Sequence, residues 1–175
     1  MSLERVRELL SPLCPAGDDP VALLVSVDAG SAIAEPLHRM LFAADQRLFP
    51  APRHGAGPLP ETLDDLVRIL RPVELPQDRL LGLLVATCTL DLAYHVPVGP
   101  WDAQQATSVL TEVMSALGPD ATWWSNCDFS HAEKWDDRGL PDAVASNPLT
   151  HHTFSHAFVG SGNDIVVTIL AVGED

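Results

Sequence analysis

Between Leu117 and Thr122 the hydrophobic rhythm of this chain changes, and that change limits its choice of fold more than any other feature. Upstream, apolar residues recur every three or four positions, the period of a helix buried on one side. Downstream they alternate or run unbroken, as strands do. Gly118-Pro119 marks the switch, with a residue that ends helices followed by one that cannot continue them. Helices first and strands last is the pattern of an α+β protein.

Five helices are expected before the switch. Ser2 caps the first, which presents Leu3, Val6 and Leu10 on one face and stops at Pro12. The second carries Pro36 in its first turn and a stripe of Leu37, Met40, Leu41, Ala44 and Leu48. Four prolines and two glycines in residues 49–60 then make a surface loop. Thr62 caps a third helix with Leu63, Leu66, Val67 and Leu70 on one side. The fourth runs from Pro76 to about His95 and is apolar nearly all round, as a buried helix must be. Asp102 and Gln105 have capping-box spacing at the head of the fifth, whose stripe runs from Ala106 through Val109, Leu110 and Val113 to Leu117.

Four strands are expected. Val21–Val27 is short, apolar and β-branched. Thr122–Phe129 reads as a second strand, and a polar stretch of about 20 residues follows it. Thr150–Val159 and Asp164–Val172 then form a hairpin across Gly160-Ser161-Gly162-Asn163. The expected whole is one domain over residues 1–175: about five helices in the first two-thirds, packed on a mainly antiparallel sheet of about four strands ending in a C-terminal hairpin. With 46% hydrophobic residues, 175 residues suffice for a core without metal or disulfide.

Charge narrows the functional classes. The chain holds 24 acidic residues against 10 basic ones, for a net charge of −14. Residues 80–175 hold 12 acids and only Lys134 and Arg138 as bases, a net of −10. Nucleic acid and anionic membranes both need a basic face, so neither is an expected partner. A basic protein is, because opposite charge speeds encounter. Three cysteines (Cys14, Cys88, Cys127) have no paired spacing, the N-terminus shows no secretory hydrophobic segment, and no apolar run approaches the length of a membrane span. The expected compartment is the cytoplasm.

Four groups of residues are candidates for chemistry. Asp91 and His95, one turn apart on the fourth helix, would pair a carboxylate with an imidazole, the arrangement of an oriented general base. Cys127, Asp128, His131, His152 and His156 supply zinc-type ligands. In a strand, however, His152 and His156 would lie roughly 13 Å apart, too far to share one ion. Asp28-Ala29-Gly30-Ser31, at a strand-to-helix turn, has the position of an anion nest but one glycine and no nearby lysine. Trp123, Trp124 and Trp135 lie among Asp128, Glu133, Asp136 and Asp137, the composition of an aromatic hot spot with an acidic rim. Together these favour a small acidic cytosolic binding domain, with an immunity-like, inhibitor-like or adaptor role toward a basic protein, no catalytic residues and no cofactor. The alternative is a small metal-dependent hydrolase holding zinc between residues 127 and 156.

Overall fold

The computed structural model describes residues 2–14, 23–43 and 58–174. Helix α1 (Leu3–Leu10) starts where the Ser2 hydroxyl accepts the Arg5 N–H, and it buries Val6 and Leu10. Helix α2 (Ala34–Ala43) buries Leu37 and Leu41. Helix α3 (Leu63–Ile69) opens on a reciprocal capping box between Thr62 and Asp65. Its stripe is narrower than expected: Leu66 and Leu70 are buried, while Leu63 and Val67 face solvent. Helix α5 (Ala103–Leu117) opens on the Asp102–Gln105 box and ends at Gly118.

Helix α4 (Gln77–Thr89) is shorter than its apolar composition implies, ending at Thr89 and not near His95. Leu90 turns extended and bridges to Pro97. The Asp91 carboxylate then accepts the N–H groups of Ala93 and Tyr94 at 3.0 and 2.7 Å, closing a turn that competes with another helical turn.

The strands are β1 (Leu23–Ala29), β2 (Arg71–Pro72), β3 (Thr122–Ser125), β4 (Cys127–Asp128), β5 (Ala145–Ser146), β6 (Phe154–Gly162) and β7 (Ile165–Gly173). Five form an antiparallel sheet in the order β1-β7-β6-β3-β2, and β4 pairs with β5 in a separate ribbon. Among the described residues there are thus seven strands, five of them in the main sheet, where about four were expected. The Thr122–Phe129 strand is interrupted at Asn126, and β6 begins at Phe154, after His152. The expected positions Val21, Ala44 and Leu48 and residues 49–57 of the loop lie outside the described residues.

The hairpin turn is also tighter than expected. Ile165 pairs directly with Gly162, leaving Asn163 and Asp164 at φ +48° and +57° as a two-residue turn. Gly160 and Gly162 serve close packing instead. A Cβ on Gly160 would come within 2.6 Å of the Trp123 ring, and one on Gly162 within 2.2 Å of the Leu117 carbonyl oxygen.

Helices cover both faces of the sheet. On one face α1, α4 and α5 pack against Trp123, Phe158, Ile165, Val167 and Ile169. On the other, α2 and α3 pack against Leu149, Ala157, Leu170 and Val172. β7 lies between β1 and β6, and all nine of its residues are buried. Burial on both sides explains why its sequence is apolar throughout except for Thr168. Among the described residues no helix is long and apolar enough to cross a membrane.

Candidate functional site

Beyond the end of α4, the sheet and two loops enclose a cavity of about 100 Å³. Its floor is His156 and Phe158 of β6, on the sheet face that carries Trp123. Leu83, Ala86, Thr87 and Leu90 form one wall. The loop after α4 adds Asp91, Leu92 and His95, and the long loop before β6 adds Phe129, Leu140, Pro141 and Val144. The two rings of Phe129 and Phe158 stack with centroids 6.2 Å apart.

Close backbone contact seats the long loop. Gly139 lies against Gly82 of α4, where a Cβ would approach within 2.8 Å of the Gly82 Cα, and its φ of +79° suits glycine. Arg138 reaches the His95 carbonyl at 3.5 Å. Asp136 accepts the N–H groups of Arg138 and Leu140, each at 2.9 Å, and Asp142 accepts those of Glu133 and Lys134 at 3.0 and 3.1 Å. These acids hold the loop's own backbone before they offer charge to anything else. The Leu140 N–H, with the Arg138 side chain, holds the Asp136 carboxyl below the usual range.

His156 is the most perturbed polar group of the cavity. Desolvation among apolar walls, with His95 facing it as a second basic group, pushes its pKa down to about 4. It is therefore a neutral ring at neutral pH, with one donor and one acceptor nitrogen. Thr87 donates its hydroxyl proton to the Leu83 carbonyl at 2.7 Å, which leaves its lone pairs free to accept. One carboxylate oxygen of Asp91 takes both backbone N–H groups of the turn, leaving the other.

The residues singled out from sequence are spread differently. Asp91 and His95 are not stacked on a helix: they lie in the loop, His95 at φ +52°, with its N–H donated to the Asp91 carbonyl at 3.1 Å. Both nevertheless line the cavity with His156, which lies 65 and 61 positions further along the chain. His152 lies outside the strand, its Nδ1 3.1 Å from the Thr150 hydroxyl and its Nε2 3.8 Å from the Glu174 carboxylate. Cys127 is buried, its thiol pushed up to about 12 by desolvation, and His131 is exposed. Among the described residues no three His, Cys, Asp or Glu side chains are placed to hold one metal ion. The expected zinc set therefore does not converge there.

The tryptophans divide as well. Trp123 is 4% exposed and belongs to the core over Gly160, so it offers no surface for a partner. Trp124 points to the opposite sheet face, half-buried against the second core. Trp135 stays half-exposed, beside Phe129 and beneath the Arg79 guanidinium at 5.3 Å. Asp128 is tied to the Ser130 N–H at 2.9 Å, whereas Glu133 and Asp137 stand exposed on the loop. At the Asp28-Ala29-Gly30-Ser31 turn, the Asp28 carboxylate is engaged by the Ser26 hydroxyl and Arg39, and the Gly30 N–H is given to the Asp164 carbonyl.

Sequence reasoning missed the apolar half of the site. Val144 was the available signal: a β-branched residue in a polar stretch, 43% exposed and at the cavity's edge. Tyr94 and Val96, on either side of His95, are 66% and 51% exposed. No family model, curated protein or solved structure matches this chain.

Proposed function

We propose that this chain is a cytosolic binding domain for a basic protein partner, and that the partner docks over the cavity mouth between the Leu90–Gly99 loop and the long loop before β6. One observation carries the reading: a cavity walled largely by apolar side chains has the exposed Val144 in its lining, and the exposed Tyr94 and Val96 are the chain neighbours of its lining residue His95, in the part of the chain with net charge −10. Exposed apolar residues grouped at a concave site mark interaction surfaces. Glu133 and Asp137 add outward-facing negative charge on the same loop. The three free cysteines, two of them buried, suit a reducing compartment.

The test needs a basic protein recovered with this chain from its native host. Its association rate is expected to fall steeply as salt rises, since steering by charge is screened. Joint Glu133→Lys and Asp137→Lys replacement is expected to slow association about tenfold at low salt. The melting temperature should hold, because neither carboxylate anchors the loop. Association that ignores salt, or that survives the double reversal at full rate, rejects the reading.

A further inference from the structure

We infer that the cavity between α4 and β6 is a binding site for a small neutral alcohol of about four non-hydrogen atoms, whose hydroxyl meets the His156 ring while its carbons lie against the apolar walls.

Size sets the first limit. An apolar cavity of about 150 Å³ takes benzene, with its six carbons. At about 100 Å³ this one has room for about four non-hydrogen atoms, so a three-carbon alcohol fills it and an aromatic ring does not fit. Nine of the thirteen lining residues are apolar, Leu83, Phe129 and Phe158 among them, so most of an occupant must be hydrocarbon. Val144 and His95, also in the lining, are exposed, which gives a small molecule its way in from solvent.

His156 sets the polar head. Its ring lines the cavity floor, yet among the described residues no hydrogen-bonding group engages it. A polar group desolvated among hydrocarbon and left without a partner is one that a ligand can satisfy. The neutral ring has one donating and one accepting nitrogen. A hydroxyl both donates and accepts through a single oxygen, so it suits whichever nitrogen faces the cavity. Thr87 also asks for a donor, because its own proton is spent on the Leu83 carbonyl. A ketone of equal size has none to give.

Charge of either sign fits poorly. A carboxylate would share the cavity with Asp91, and an ammonium would have to leave water for a site where desolvation already keeps an imidazole neutral. The occupant is therefore uncharged.

Titration of the folded protein with 2-propanol, followed by NMR through the His156 ring and the Leu83 and Val144 methyl groups, is the test. Saturable shifts are expected, with a Kd on the order of 10 mM, as a ligand of about four atoms allows. Acetone, matched in size but lacking the proton, should bind about fivefold more weakly. Acetate and isopropylammonium, similar in size but charged, should give no saturable shift, and neither should the larger benzyl alcohol. His156→Leu should abolish the advantage of 2-propanol over acetone. Val144→Trp, at an exposed position on the cavity's edge, should block entry at an unchanged melting temperature, and it decides the matter if the leucine variant fails to fold. Shifts that stay linear with alcohol concentration, equal binding of acetone or of either ion, or full binding to Val144→Trp overturns the inference. Alcohol binding needs no partner, so its failure leaves the basic-partner reading where it stands.

Discussion

Replacing Asn126 by alanine is expected to cost about 3–5 kcal/mol of stability, the largest effect predicted for a polar residue of this chain. Asn126 is 2% exposed and sits where β3 breaks before β4. Its amide donates to the carbonyls of Asn147 and Ser155 at 2.7 and 2.8 Å, and its carbonyl accepts the Ala157 N–H at 2.8 Å. The Asn147 N–H returns to the main-chain carbonyl of Asn126 at 3.0 Å. One side chain thus closes the base of the long loop that carries Phe129, Leu140, Pro141 and Val144. Alanine takes the partner from the buried Ser155 carbonyl and the buried Ala157 N–H, each costing about 1–3 kcal/mol before relaxation, and from the part-buried Asn147 carbonyl, which water can reach. Asn126→Asp should be worse, since it sets a carboxylate against two carbonyl oxygens. Asn147→Ala should be mild, because Asn147 contributes only backbone groups. Urea denaturation of the three variants decides the matter: a loss under about 1 kcal/mol for alanine would show that the loop closes without the clamp.

Acid should destabilise this protein through His156, by an amount on the order of 2–3 kcal/mol between neutral pH and pH 4. The folded ring protonates near 4 and the free imidazole near 6.5. Between those values the unfolded chain holds a proton that the folded chain refuses. Stability is therefore full above about 6.5 and falls as pH drops toward 4. Asp91 and His95 share the cavity, and other groups titrate in the same range, so the comparison must isolate one ring. His156→Leu provides this. The difference in unfolding free energy between the two proteins should shift toward the variant as pH falls from 7.5 to 4.5. A constant difference would mean that the ring titrates normally and is not held dry by the cavity.

Local rules reached some elements and not others. Both capping boxes were readable because their partners lie three residues apart: Thr62 with Asp65, and Asp102 with Gln105. The first and last strands were readable as strands from their apolar, β-branched composition, but that they pair with each other was not. The end of α4 could not. Residues 77–95 are apolar enough for helix, yet a local Asp91 turn and the Leu90–Pro97 bridge take over, and the bridge depends on a chain that returns. The glycines of the hairpin misled for a similar reason. Their role is set by Trp123 and Leu117 above them, outside any local window.

The candidate site followed the same division. Asp91, His95 and His156 were each visible as chemistry-bearing residues, but in separate pairings. Trp123 looked like a surface anchor until helices were found on both sides of the sheet.

From its residues alone the chain determined its class, its helix starts, its charge imbalance and the buried character of its final strand. Each depends on composition or on neighbours within about one helical turn. The folded structure decided which face each tryptophan takes, which carboxylates are spent on backbone, and which two imidazoles line one cavity, His156 half-buried and His95 exposed. Those outcomes rest on contacts between residues tens of positions apart, whose desolvation and geometry exist only once the sheet and both helical layers have assembled.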